Sequence, residues 1–177
     1  DGAHGMVASG SAIASATGRD ILRAGGNAVA VAVAVGFALA VAHAEAGNIR
    51  GGGFMMIRMH DGKTYALDYR ETAPAMATHA MYIDPHGDPT DRDLSGALAS
   101  GVPGSVAGML EAHRRFGRLP LATVLEPAIR LARDGFVVDS FHSRALGSAV
   151  RRFARYSPAA LAQYTINGTA PAPGATL

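Results

Sequence analysis

The sequence predicts an α+β protein of layered type, and three observations carry that prediction. Its elements read strand, two helices, hairpin, loop, three helices, an order that departs from the alternation of a βαβ repeat. Apolar residues make up 49% of 177 residues, enough to bury a core in one domain. Alanine is the commonest residue, Gly numbers 22, Trp is absent and aromatics reach only 6%, so the layers must meet through small side chains. Small side chains allow close approach but each buries little apolar area, at roughly 25 cal/mol per Å². A domain built this way gains by packing against something larger.

Gly5-Met6-Val7-Ala8-Ser9 reads as a short strand leading into a helix over about 11–24, with Ile13, Ala16, Thr17, Ile21 and Ala24 in one stripe. Gly25-Gly26 ends that helix, and Asn27 caps the next, an Ala/Val run that ends near His43 to Gly47. Residues 28–44 carry no charge, which is near a membrane-spanning length. Their modest hydrophobicity and the Gly-Gly-Asn start favour instead a helix buried on all sides, and no membrane span is expected. Gly51-Gly52-Gly53 precedes two strand-like runs, Phe54–Met59 and Thr64–Tyr69, joined at Asp61-Gly62 as a hairpin. Pro74, Pro85 and Pro89 mark 71–99 as loop with a short helix near 78–82. Helices are then expected over about 105–116, 120–133 and 140–156, with Gly117 and Asp134-Gly135 as stops and a turn-rich tail around Asn167-Gly168.

Spacing removes several chemistries. Zero cysteines exclude a disulfide scaffold, a thiol nucleophile and Cys-ligated metal within this sequence. No Walker-type loop, no His pair at i, i+4, no calcium-loop pattern and no Gly-x-Ser-x-Gly is present, so neither a metal nor a cofactor is expected. The net charge is only +2, and the Arg114/Arg115/Arg118 and Arg151/Arg152/Arg155 groups lie at helical spacing as solvated faces, so no nucleic-acid partner is implied. Asn167-Gly168-Thr169 matches a glycosylation acceptor and reads first as a turn. No cationic, apolar leader opens the sequence.

One candidate site residue remains, Arg70 in Asp68-Tyr69-Arg70-Glu71-Thr72-Ala73-Pro74 at the end of a predicted strand. A forked, permanently charged guanidinium at such a place suits two parallel hydrogen bonds to a substrate carboxylate. The competing reading is a surface arginine paired with Glu71 or Asp68, and spacing alone favours it.

A wider set of motifs resembles the γ-glutamyltranspeptidases, a family that also holds cephalosporin acylases. The matching stretches are Gly5–Ser9, Asp20–Val29, Ala46-Gly47-Asn48, Gly51–Met55, Arg70–Pro74, Ser100–Gly108, Arg115–Pro120 and Leu131–Phe136, in family order. The resemblance implies an αββα sandwich of the N-terminal nucleophile hydrolase type, incomplete in this chain. Residues 1–177 would then be the N-terminal part of the large-subunit segment of one domain, completed by another chain or a downstream segment.

It further implies γ-glutamyl transfer or hydrolysis of amides such as glutathione. The acyl-enzyme forms on a Thr that lies outside this chain, on a small-subunit chain released by autoprocessing. At the family's Arg-Glu-x-Ala-Pro motif the arginine holds the substrate α-carboxylate, and here that position is Arg70. No catalytic residue falls in this chain. Alternatives are a cephalosporin or glutaryl acylase of the same family and a non-catalytic structural or binding remnant. The resemblance leans to a periplasmic or secreted location. Two departures stand out: Ala30 where the family usually has an acidic residue, and Arg50 where it usually has Gly.

Overall fold

The computed structural model describes residues 4–47, 49–94 and 96–177. It is α+β, with six α-helices and one two-stranded antiparallel sheet among the described residues. The chain divides into two compact units, one drawn from the described residues of Asp1–Asn48 and Met109–Leu177, the other being Ile49–Gly108.

The first unit is helical. Helix α1 (Ala12–Arg23) starts where the Ser11 side chain accepts the Ala14 N–H, and it buries Ala14, Thr17, Gly18 and Ile21. It packs on α2 (Ala28–Ala42) closely enough that a Cβ at Gly18 would fall 2.7 Å from Val35 Cγ2. Asn27 closes three backbone groups at once. Its Oδ1 accepts from the N–H of Ala30 at 3.1 Å and of Arg118 at 3.2 Å, while Nδ2 donates to the Phe116 carbonyl at 2.7 Å.

Helix α2 corrects one expectation. Val29, Ala30, Val33, Ala34 and Ala38 are buried, but Ala28 and Ala32 are exposed and line a groove of about 780 Å³ whose other wall is His4–Gly10. The strand predicted over Gly5–Ser9 does not form. Among the described residues no neighbouring strand offers this segment its backbone groups, and a strand exists only as part of a ladder. No described helix is long and apolar enough to cross a membrane.

Helix α3 spans Ser105–Phe116, and α4 spans Leu121–Asp134 directly after Pro120. Gly117 follows α3 because its N–H reaches back to the His113 carbonyl at 2.7 Å, where a Cβ would fall 2.6 Å from that oxygen. Gly135, at φ 85°, stops α4 as the Asp-Gly pair predicts. Val124 of α4 is fully buried, and α4 packs on α2.

The tail does more than turn. Phe136 and Leu177 exchange two backbone hydrogen bonds, at 3.0 and 3.1 Å, and close a small core of Ala42, Phe136 and Val138 packed by Leu131 and Leu177. Asp139 caps α5 (Ser140–Tyr156). A further helix, α6 (Pro158–Tyr164), follows with Ser157 as its cap.

The second unit is built on the predicted hairpin. Strands β1 (Phe54–Arg58) and β2 (Thr64–Asp68) pair antiparallel with Phe54 opposite Asp68 and Arg58 opposite Thr64. Gly62, at φ 84°, takes the left-handed turn position. One face carries buried Ile57 with half-buried Met55, Tyr65 and Leu67, and the other exposes Phe54, Met56 and Ala66.

The short helix expected near 78–82 is instead a series of separate turns. Met81 bonds back to Thr78 and Ile83 to Ala80, each at i→i−3, without propagating. Two short 3₁₀ segments, Asp91–Asp93 and Ala97–Ala99, complete the loop.

Candidate functional site

Three backbone segments of the second unit converge on Arg70. Gly51 C=O accepts from the N–H groups of Gly104 and Ser105, both at 2.9 Å, which ties the Gly-rich segment to the start of α3. Tyr69 N–H donates to Gly53 C=O at 3.0 Å, and Thr72 and Val102 exchange bonds at 3.3 and 2.9 Å. Residues 51–53, 69–72 and 101–105 thus form one hydrogen-bonded corner at the exit of β2.

Side chains would not fit inside this corner. A Cβ on Gly52 would lie 2.6 Å from the Glu71 amide nitrogen and 2.7 Å from Arg70 Cα, and one on Gly104 would strike the Tyr69 carbonyl oxygen. Glycine is required there by close backbone approach.

Arg70 itself is held at its backbone and open at its tip. Its N–H donates to Asp68 Oδ1 at 3.0 Å. Its Nε donates to Glu71 Oε2 at 3.3 Å, its guanidinium carbon lies 5.8 Å from the Phe54 ring centroid, and the side chain is 63% exposed. The pairing with Glu71 that the sequence offered as the competing reading is therefore present. An exposed pair of this kind contributes little, so it leaves the guanidinium available to an incoming carboxylate. The Glu71 carboxyl is held below the usual range, first by its own backbone N–H, against the opposing effect of desolvation, with Arg70 adding to the lowering after these.

Of the two departures from the family pattern, Ala30 is fully buried in α2, so the acidic side chain usual there has no counterpart in this core. Arg50 lies exposed at the start of the second unit. Asn48 of the Ala46-Gly47-Asn48 motif lies outside the described residues.

A second polar cluster, in the helical unit, was not anticipated. The Glu45 carboxylate lies 3.0 Å from His43 Nδ1 and 3.5 Å from His142 Nδ1, and the His142 side chain is 4% exposed. The longer contact is within ion-pair reach but lacks hydrogen-bond geometry, so both His142 ring nitrogens are unpartnered. His142 sits far in sequence from His43 and Glu45, and no short-range spacing announces the cluster. Among the described residues no group of three or more His, Asp or Glu is arranged to hold a metal.

Fold and site together define a class: an α+β chain whose glycine-packed strand exit presents an accessible arginine suited to an anion. Residues 14–177 match the gamma-glutamyltranspeptidase family, and the chain belongs to it. It is 55% identical over 137 residues to the glutathione hydrolase proenzyme of Escherichia coli (strain K12), covering 77% of this chain and 24% of that protein. It is 43% identical over 161 residues to the Acylase ACY 1 proenzyme of Pseudomonas sp. (strain V22), covering 87% of this chain and 29% of that one. Among solved structures, the Helicobacter pylori gamma-glutamyltranspeptidase superposes with a TM-score of 0.93 at 39% identity, over 97% of this chain and 50% of that one. The chain thus spans about a quarter of the length of the curated relatives it matches.

Proposed function

We propose that this chain is the N-terminal part of the large subunit of an enzyme that transfers or hydrolyses γ-glutamyl groups, with Arg70 binding the α-carboxylate of the donor. One observation carries the reading: in a chain of this family, the Arg-Glu-x-Ala-Pro arginine stands accessible on a corner whose backbone is fixed by hydrogen bonds and glycine contacts.

A γ-glutamyl donor bears a carboxylate that a forked guanidinium engages through two parallel hydrogen bonds. Loss of that group from the donor would leave a cation without its partner, and this supplies discrimination. The chain contributes substrate binding. The nucleophile, a Thr at the start of a small-subunit chain, comes from the remainder of the protein, with its own α-amino group or a water as base.

Residues 1–177 are on this reading part of one αββα domain. A two-stranded sheet is marginal alone, and an exposed face with Phe54 and Met56 suits coverage by further strands. A periplasmic or secreted location accompanies the proposal.

Acylase activity is the second reading, favoured by the 43% identity to the Acylase ACY 1 proenzyme. The assembled enzyme separates the two when offered γ-glutamyl-p-nitroanilide and glutaryl-p-nitroanilide, which keeps the carboxylate and lacks the α-amino group. The proposal expects kcat/KM at least about 100-fold higher for the γ-glutamyl donor, the scale on which an unmatched buried polar group penalises the wrong substrate. Equal or reversed preference assigns the chain to an acylase. Absence of any Thr-initiated second chain in the downstream coding sequence would make it a non-catalytic remnant.

A further inference from the structure

The residue before Arg70 occupies a slot made of glycines. The Tyr69 ring lies against Gly108, where a Cβ would overlap its first ring carbon, and against Gly53, where a Cβ would fall 3.1 Å from Cε2. Its carbonyl faces Gly104 and its N–H is bonded to Gly53 C=O. Its hydroxyl donates to the Phe54 carbonyl at 3.4 Å, and the Phe54 ring in turn faces the Arg70 guanidinium. Ring and amide of Tyr69 therefore meet Gly53, and ring and carbonyl meet the 104–108 segment, so two segments of the same unit hold the residue. Arg70, the next residue, has a long flexible stem and only an exposed partner in Glu71.

We propose that Tyr69 is the positioning residue for Arg70: its ring, wedged between Gly53 and Gly108, sets the direction in which the backbone delivers the guanidinium. The proposal rests on the carboxylate-binding reading of Arg70. Tyr69 does not touch the reacting atoms. Its contribution is preorganisation of a binding group by a packed neighbour.

The test uses the assembled enzyme with two donors, γ-glutamyl-p-nitroanilide and 4-aminobutanoyl-p-nitroanilide, the second lacking only the α-carboxylate. Tyr69→Leu is expected to raise KM for the γ-glutamyl donor about tenfold, with kcat and the KM of the carboxylate-free donor within about twofold, the pattern of lost ground-state binding. Tyr69→Phe, which keeps the wedge, is expected to stay within about twofold of the parent. In an Arg70→Gln background, Tyr69→Leu should add nothing.

Equal KM increases for both donors, or a fall in kcat at unchanged KM, overturn the proposal. Arg70→Gln is the control that separates failures. If it raises KM selectively while Tyr69→Leu does not, the positioning role alone is wrong. If Arg70→Gln also leaves KM unchanged, the carboxylate-binding reading is wrong. Tyr69→Met, an unbranched filler of the slot, is measured alongside Tyr69→Leu. Failure of both to give folded enzyme assigns Tyr69 to folding and overturns the proposal.

Discussion

The helical unit and the hairpin unit both depend on glycine, and two glycines in the helix packing meet different partners from two in the corner that carries Arg70. In the helical unit Gly18 and Gly36 face side chains: Val35 and Val7 in one case, the Met109 sulfur at 2.5 Å from a built Cβ in the other. In the hairpin unit Gly52 and Gly104 face backbone atoms of residues 69–71. A side chain can change rotamer to accept a methyl group, whereas a carbonyl in a hydrogen-bonded corner cannot move without breaking that corner. The difference teaches where positional precision is concentrated. Helices of Ala and Val can repack around small errors; the segment that delivers Arg70 is clamped by contacts that do not yield.

The contrast is sharpest in two glycine substitutions. Gly104→Ala places a methyl group on the Tyr69 carbonyl and is expected to destabilise the folded enzyme by about 3 kcal/mol, the top of the usual overpacking range. Gly36→Ala meets only the flexible Met109 side chain and gains about 1 kcal/mol of helix propensity, so its net change is expected within about 1 kcal/mol of zero. Urea unfolding of the two variants measures both. Similar losses in the two would erase the distinction between yielding and unyielding neighbours.

A smaller effect concerns the charge beside Arg70. The Glu71 carboxyl is held low, so its favourable interactions are complete above the ordinary glutamate range and are lost only as pH falls through the lower folded value. A carboxyl-carbon NMR titration should therefore place its midpoint below that of a free glutamate side chain. Arg70→Gln should raise that midpoint without restoring the free value, because the Glu71 backbone N–H is the larger cause. A midpoint at or above the free value would mean that the carboxylate is not held in this corner.

Much of the scaffold was legible because its signals are local. Asn27 after Gly25-Gly26, Asp61-Gly62 between alternating strands and Asp134-Gly135 after an amphipathic run each announce a cap or turn through nearby backbone geometry. The Ser157-Pro158 start of α6 is a signal of the same kind.

What was not legible depends on distant partners. Gly5–Ser9 has strand composition but lacks a neighbour among the described residues, and the pairing of Phe136 with Leu177 joins segments no periodicity connects. The same divide applies to the site. Arg70 stood out as a cation at a strand exit, and the family resemblance gave it a role. The glycine slot around Tyr69 and the Glu45–His142 contact emerge only when residues far apart in sequence are brought together.

The central claim is that Arg70 recognises a carboxylate. The most direct measurement is the ratio of KM values for 4-aminobutanoyl- and γ-glutamyl-p-nitroanilide in the parent enzyme and in Arg70→Gln. The account predicts a parent ratio that collapses about 100-fold in the variant, as expected on losing a charge-assisted bidentate contact, through a higher KM for the γ-glutamyl donor alone. An unchanged ratio, or an equal increase for both donors, would contradict it.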